Sequence, residues 1–226
     1  MPAAKRLLAR LRRTRVVRLD AETAYTRWAP VYPARAHNAV MAAEADALRP
    51  LVLGCRAGRA LDVGTGTGRN LALLRRTGAG LVAGVDLSAA MLGHAERGAV
   101  LVRANAMQLP FADGTFDLVT SSLMCGDIED LAGWLAEASR VLRPGGSLIY
   151  SDFHPSWGEQ GWTRTFTGDD GRTYQLPLHP HTLAQHLGVL GGAGMKVGSV
   201  VTPCATAHPL PILTVIHAVR EDGGEA

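Results

Sequence analysis

The chain has 226 residues, of which 47% are hydrophobic and 19% are charged, and its formal net charge is +3. This is the profile of one sizeable soluble domain, which can bury a core without disulfides or structural metals. No run reaches about 18 apolar residues and no apolar segment precedes a cleavage site, which argues against a membrane-spanning helix and a secretory signal. We therefore expect a cytoplasmic protein.

The three cysteines, Cys55, Cys125 and Cys204, are far apart and show no C-x-x-C or Cys/His spacing. This pattern argues against a disulfide framework and against a zinc site. We expect a reducing compartment, no bound metal, and a buried, unreactive thiol at Cys125.

Positive charge is concentrated at the start of the chain. Residues 1–19 contain seven Lys and Arg and no acid, so the remainder carries a net charge of −4. Leucines recur among these arginines at roughly helical spacing, which predicts a basic amphipathic helix over 3–19. We favour docking of this helix on the rest of the domain, with weak peripheral contact with a membrane or another acidic surface as the alternative.

Further helices are predicted from Asp20 to Trp28 and from His37 to Leu48, the second ending before Pro50, so that residues 1–50 form a helical cap. From Arg59 onward, short apolar runs alternate with helical stretches at the spacing of βα units. These runs are 59–64, 81–86, 99–103, 116–121 and 146–151. They predict an α/β three-layer sandwich, in which helices cover both faces of a mostly parallel sheet.

Residues 153–180 interrupt this alternation with Trp157, Trp162 and the turn signal Asp170-Gly171. We interpret them as an inserted, substrate-side loop or hairpin within a domain of residues 51–226, because long insertions in compact domains are usually functional. Two final apolar runs, 195–202 and 211–219, predict an antiparallel strand pair.

The most informative motif is a glycine loop between the first predicted strand and a helix that begins near Asn70. Gly64, Gly66 and Gly68 alternate in it, and glycine permits positive φ and close approach of a ligand to the main chain. A dinucleotide fingerprint would have its third glycine where Arg69 stands, and no Gly-Lys-Ser/Thr of a phosphate loop follows. The glycine spacing therefore disfavours a dinucleotide, and the missing Gly-Lys-Ser/Thr excludes a Walker-type phosphate loop.

An acidic residue, Asp86, ends the second predicted strand, 22 residues after Gly64. A carboxylate at this point can accept hydrogen bonds from both hydroxyls of a ribose. Nucleosides and dinucleotides both contain a ribose. Asp86 therefore indicates a ribose but does not distinguish between these two kinds of ligand.

With these motifs, the chain resembles the class I S-adenosylmethionine-dependent methyltransferases, and among them the ubiquinone/menaquinone C-methyltransferase type (methyltransferase type 11). The resemblance extends from about Tyr25 to Gly146 and rests on blocks in the family's order and spacing. After the glycine loop these are Gly84-Val85-Asp86-Leu87-Ser88 with Met91-Leu92, Ala104-Asn105-Ala106 with Leu109-Pro110-Phe111, Phe116-Asp117-Leu118-Val119, and Arg140-Val141-Leu142-Arg143-Pro144-Gly145-Gly146. The resemblance implies a Rossmann-like, seven-stranded sheet and S-adenosylmethionine as the cofactor.

The resemblance also implies which residues hold S-adenosylmethionine. Asp62 and the loop from Gly64 through Thr65 and Gly66 to Gly68 would hold its amino-acid part, and Ser122 would lie near the methionine. Asp86 would bind the ribose, Leu87 and Met91 would flank the adenine, and Asn105 and Ala106 would meet the adenine edge. Tyr25 and Tyr32 would belong to an N-terminal segment that folds over the cofactor, where aromatic faces favour a sulfonium.

Candidate catalytic residues follow from the chemistry of the sulfonium. Its methyl group is already activated, so the enzyme mainly aligns the acceptor, and a base is needed only when the acceptor must lose a proton. His154, after the fifth predicted strand, is the first candidate because an imidazole pKa of about 6.5 suits this task. His181 is the second, followed by His186 and Asp152.

We expect a small-molecule acceptor, with methylation on O, N or C, and a monomer or homodimer. Aromatic residues of the 153–180 segment could line the acceptor pocket. They are Trp157, Trp162, Phe166 and Tyr174. The basic N-terminus raises RNA methylation as an alternative, but no Asn-Pro-Pro-Tyr-like base-flipping signature follows the fourth strand, so we expect no nucleic-acid partner. A non-methylating S-adenosylmethionine-binding protein is a second alternative, because binding and catalysis use different residues.

Overall fold

The computed structural model describes residues 16–33, 36–95, 98–204 and 210–222. Most of the predicted helix 3–19 therefore lies outside the described residues. At its end the prediction is wrong, since Val17–Arg18 form a short strand, β1. Val17 packs with Phe166 and Tyr174, so tertiary contacts override the helical spacing there.

Seven strands form the main sheet, and each predicted apolar run supplies one of them. They are β2 Arg59–Val63, β3 Leu81–Asp86, β4 Val100–Arg103, β5 Phe116–Ser121, β6 Leu142–Phe153, β9 Met195–Val201 and β10 Leu213–Arg220. Their order is β4-β3-β2-β5-β6-β10-β9; β10 runs antiparallel to both β6 and β9, and the other neighbouring pairs are parallel. The predicted parallel sheet with an antiparallel C-terminal pair is confirmed.

Helices cover both faces of this sheet, which confirms the three-layer sandwich. They are α1 Ala21–Trp28, α2 Ala39–Leu53, α3 Leu71–Arg75, α4 Ala89–Leu92, α5 Leu131–Val141, α6 Ser156–Glu159 and α7 Leu183–Gly192. Side chains along a strand alternate between faces: Tyr150 packs with Trp134 of α5, whereas Ile149 packs in the cluster that contains Leu48 and Val52 of α2. No helix in the described ranges is long and apolar enough to cross a bilayer.

Helix α2 passes through Pro50 instead of ending before it. Proline lacks an N–H group and therefore removes a helical hydrogen bond. The final turn survives because Val52 is fully buried against the sheet and because the Gly54 N–H closes the helix on the Pro50 carbonyl at 3.0 Å. Burial of Val52 outweighs the lost bond, and the predicted end at Leu48 is wrong.

Residues 153–180 contain α6 and a hairpin of β7 Thr165–Thr167 and β8 Thr173–Gln175. Strand β1 pairs in parallel with β8, which gives a second sheet of order β1-β8-β7. Trp28 of α1 stacks on Phe166, with ring centroids 4.8 Å apart. The N-terminal segment and this hairpin therefore form one structural unit beside the main sheet.

Candidate functional site

A cavity of about 540 Å³ opens at the carboxyl ends of β2, β3 and β5. Its volume lies within the range of small-molecule sites, and the carboxyl end of a parallel sheet is the usual ligand position in such folds. The glycine loop lines one side, and the N-terminal segment and the 153–180 segment contribute further lining. The predicted cofactor-binding loop and the predicted substrate-side segment thus face the same cavity.

The loop takes the conformation that its glycines allow. Gly64 has φ of 69°, and a Cβ there would come within 2.9 Å of the Met124 side chain. Gly66, with φ of 55°, donates its N–H to Asp86 Oδ2 at 2.8 Å. Both line the cavity, whereas Gly68 completes the turn behind it. Side chains at the first two positions would strain the backbone or fill the ligand space.

Asp62 lies beneath the loop and does not line the cavity. Its carboxylate accepts hydrogen bonds from Thr65 Oγ1 at 2.8 Å and Thr120 Oγ1 at 2.7 Å. Burial raises the pKa of Asp62 to about 6, although these two hydrogen bonds oppose the shift. In this structure Asp62 positions Thr65, which lines the cavity, rather than contacting the cavity itself.

Two buried polar atoms of the loop region have no hydrogen-bond partner within the described part of the chain. They are Thr67 Oγ1 and Arg69 Nη1, and both residues line the cavity. The Nη2 atom of Arg69 is already paired, at 3.2 Å, with Glu44, a carboxylate that is 1% exposed. Buried donors without partners are costly, so these two atoms fit a bound ligand that carries acceptors. In the sequence, Arg69 was notable only because it stands where a dinucleotide fingerprint would have its third glycine.

Asp86 presents a carboxylate to the cavity. Its Oδ2 accepts from Gly66 and its Oδ1 accepts from the Ser88 N–H at 2.8 Å. Burial raises the pKa of this carboxyl, while the backbone donors lower it. Each carboxylate oxygen can accept more than one hydrogen bond, so Asp86 retains acceptor capacity for a ribose. Leu87 and Met91 line the cavity next to it.

Asn105, Ala106 and Ser122 also line the cavity. Asn105 Oδ1 accepts the Met107 N–H at 2.9 Å, which holds the turn after β4. Ser122 Oγ, after β5, accepts from Asn70 Nδ2 at 2.7 Å. The structure thus brings these predicted residues together with the glycine loop and Asp86.

A buried charged group forms another part of the lining. Arg164 donates to Asp127 Oδ1 and to Tyr25 Oη, and Tyr25 donates to Asp127 Oδ2 at 2.9 Å. The Arg164 guanidinium lies over the Phe153 ring, 4.6 Å from its centroid. Burial raises the pKa of Asp127 against the lowering effect of Arg164. Only Tyr25 of this group was predicted, and Tyr32 joins it in the lining while its ring meets the Trp28 edge.

The predicted catalytic histidines do not reach the cavity. His154 Nδ1 accepts the Ser156 N–H at 3.2 Å, and His181 is buried against Asp152. Strand β6 continues to Phe153, which lines the cavity, and alternation along the strand directs Asp152 to the other face. Among the histidines in the described ranges, His37 alone lines the cavity.

The strand order, the antiparallel β10 between β6 and β9, and the glycine loop and acid at the ends of β2 and β3 define the fold of the class I S-adenosylmethionine-dependent methyltransferases. Residues 61–150 match the family model described as a methyltransferase domain. The matched residues run from β2 into β6, so this central part of the chain is similar to that family's methyltransferase domain.

Individual relatives and solved structures show the same similarity. A demethylmenaquinone methyltransferase of Tropheryma whipplei (strain Twist) is 38% identical over 111 residues, 46% of this chain and 46% of that protein. The chain therefore matches about half the length of such curated relatives. A solved S-adenosylmethionine-dependent methyltransferase from Mesorhizobium loti is 26% identical, with a TM-score of 0.67 over 81% of this chain and 100% of that one. The [4+2]-cyclase SpnF shares the fold at 17% identity, with a TM-score of 0.66 over 92% and 98% of the two chains.

Proposed function

We propose that the chain binds S-adenosylmethionine in this cavity and transfers its methyl group to a small, largely apolar acceptor. The observation that carries the proposal is the pairing, in one cavity, of partnerless loop donors with the Asp86 carboxylate. The ligand must then offer both acceptors and a donating diol. S-adenosylmethionine has both, in its carboxylate and its ribose.

The lining residues suit the parts of this ligand. Thr67 and Arg69 would bind the carboxylate, because a guanidinium donor forms strong charge-assisted hydrogen bonds with one. Asp86 would accept from the ribose hydroxyls. The adenine would meet an apolar and amide lining, formed by Leu87, Met91, Asn105 and Ala106.

Bound S-adenosylmethionine supplies an electrophilic methyl group on a positively charged sulfur. The chain's own contribution is to orient the acceptor behind that methyl group and to exclude water. Tyr25 and Tyr32 present aromatic rings to the cavity, which favour a nearby cation. We assign no general base, since the imidazoles of His154 and His181 lie outside the cavity.

The remaining lining is mainly apolar and favours a hydrophobic acceptor. It includes Val40, Leu123, Phe153, Trp157 and Leu176. The demethylmenaquinone methyltransferases named among the relatives support quinols and phenols as the first compounds to try. Arg164 and Asp127 add polar groups that can form a hydrogen bond with a hydroxyl or carbonyl oxygen of the acceptor.

Isothermal titration of the purified chain with S-adenosylmethionine, S-adenosylhomocysteine and NAD tests the cofactor. We expect binding of the two sulfur nucleosides and none of NAD. Labelled methyl transfer to a panel of naphthoquinols, phenols and amines, with tRNA as a separate sample, then tests the acceptor class. Binding without transfer to any compound would favour a non-methylating role, and labelled tRNA would replace the small-molecule acceptor with RNA.

A further inference from the structure

A second cluster of chemically active side chains lies on the face of the β6 end that does not face the cavity. It contains Cys125, Asp152, His181 and His186, which are all buried. One potential ligand atom from each residue lies within 4.8 Å of the others. We call these four residues the Cys-Asp-His-His cluster.

The distances within the cluster are close to those of a metal site. His181 Nδ1 and His186 Nε2 lie 3.0 and 3.1 Å from Asp152 Oδ2. Zinc bonds to nitrogen, oxygen and sulfur place neighbouring ligand atoms of a tetrahedral site about 3.3–3.6 Å apart. Small side-chain adjustments can therefore open the cluster around one ion.

The atoms that would not bind the metal already have partners. His186 Nδ1 lies 2.9 Å from the Tyr150 hydroxyl, and Asp152 Oδ1 accepts the Phe153 N–H at 2.7 Å. The His181 ring donates to backbone carbonyl groups of Glu129 and Ile128. Such outer partners orient the ligands of known metal sites and fix the tautomer of each imidazole.

Charge balance and ligand type narrow the choice of ion. One thiolate and one carboxylate neutralise a divalent cation, and two neutral imidazoles complete four-coordination. A neutral buried site avoids the cost of an uncompensated charge. Thiolate and imidazole ligands favour zinc over magnesium or calcium, which prefer oxygen.

We propose that the Cys-Asp-His-His cluster binds one zinc ion as a closed, structural site. The sequence expectation of no metal relied on linear spacing, and these ligands come from the turn after β5, the end of β6, the segment before α7 and α7 itself. Cys125 shares its turn with Asp127, and Asp152 precedes Phe153. The ion therefore fixes two segments that line the cavity, and this proposal does not depend on the cofactor.

Metal titration of the full, untagged, chelator-treated chain tests the site. We expect one Zn²⁺ per chain by elemental analysis, a higher Tm with Zn²⁺, and a thiolate charge-transfer band with tetrahedral d–d bands when Co²⁺ is used. Cys125→Ser should remove the charge-transfer band and the Tm shift, while Cys55→Ser, at a half-buried thiol outside the cluster, should retain both.

Tyr150→Phe, which removes only an outer partner, should weaken Zn²⁺ binding roughly 10–100-fold. His181→Gln provides a second ligand variant, and near-UV circular dichroism shows whether each variant is folded. Absence of stoichiometric Zn²⁺ binding to the folded wild-type chain overturns the proposal. So does a Co²⁺ spectrum that is the same in Cys125→Ser as in wild type.

Discussion

Two parts of the cavity lining are built in different ways. The loop wall, formed by Gly64, Gly66 and Asp86, consists of neighbouring βα units joined by backbone hydrogen bonds. The charged wall, formed by Tyr25, Asp127 and Arg164, joins side chains from three distant segments. The loop wall depends on backbone conformation, which short motifs encode, whereas the charged wall depends on long-range charge compensation.

The largest expected effect is on the charged wall. Arg164→Met leaves Asp127 buried without its cationic partner, which typically costs about 3–5 kcal/mol of unfolding free energy. Arg164→Met with Asp127→Leu should recover most of that loss. Urea unfolding measures both, and Arg172→Ala, an exposed arginine, is the matched control. If the double variant lost as much unfolding free energy as Arg164→Met alone, the stabilising role of Arg164 would not be compensation of the Asp127 charge.

The loop wall should show its effect in cofactor binding. Asp86→Ala removes the proposed acceptor for two ribose hydroxyls, and charged hydrogen bonds contribute about 1.5–3 kcal/mol each. We expect S-adenosylmethionine binding to weaken by about 3 kcal/mol, roughly 100-fold. Calorimetric titration measures the Kd, with Asp46→Ala, at an exposed acid, as control. A Kd within threefold of wild type would remove Asp86 from the site.

Beneath the loop wall, Asp62 should make stability depend on pH. Its pKa is raised to about 6 from 3.8, so its stabilising contribution is complete below pH 4 and is lost as the pH rises through 6. Asp62→Asn should therefore gain on the order of 2–3 kcal/mol relative to wild type between pH 4 and pH 7. Urea unfolding at four pH values tests this. A difference in unfolding free energy that stays constant over this pH range contradicts it.

Arg69→Lys should give the smallest effect. Lysine retains the positive charge beside Glu44 but not the second guanidinium nitrogen, the atom without a partner. Loss of one ligand hydrogen bond should raise the S-adenosylmethionine Kd about tenfold with little change in stability. Titration of this variant beside Arg49→Lys checks the prediction. Equal Kd values for Arg69→Lys and Arg49→Lys would mean that Arg69 pairs with Glu44 and does not bind the ligand.

The same contrast explains what the sequence could predict. The strands and the glycine loop follow from apolar periodicity and from positive φ at Gly64 and Gly66, which are local properties. The pairing of Arg164 with Asp127 and Tyr25 could not be predicted from the sequence, because these partners lie 37 and 139 residues from Arg164 in the chain. The unpaired Arg69 nitrogen depends on the position of Glu44, which is equally non-local.

The positions of the predicted catalytic histidines follow from where the fifth strand ends. The fifth strand was predicted to end at 151, but β6 extends to Phe153. Side chains alternate along a strand, so its true end decides which residues face the cavity. Phe153 takes that position, and Asp152 turns toward His181 and His186.

The small sheet β1-β8-β7 has a consequence for the order in which the molecule assembles. Val17 pairs with Tyr174, although more than 150 residues separate them in the chain. Closing so long a loop costs conformational entropy that later contacts must offset, so we expect this pairing to form after β2–β5 have assembled. The ribosome therefore synthesises β1 before the strands of the main sheet, yet β1 can pair only once β8 has been made. We expect a nascent chain to have the loop wall of its cavity before β8 fixes the N-terminal segment beside it.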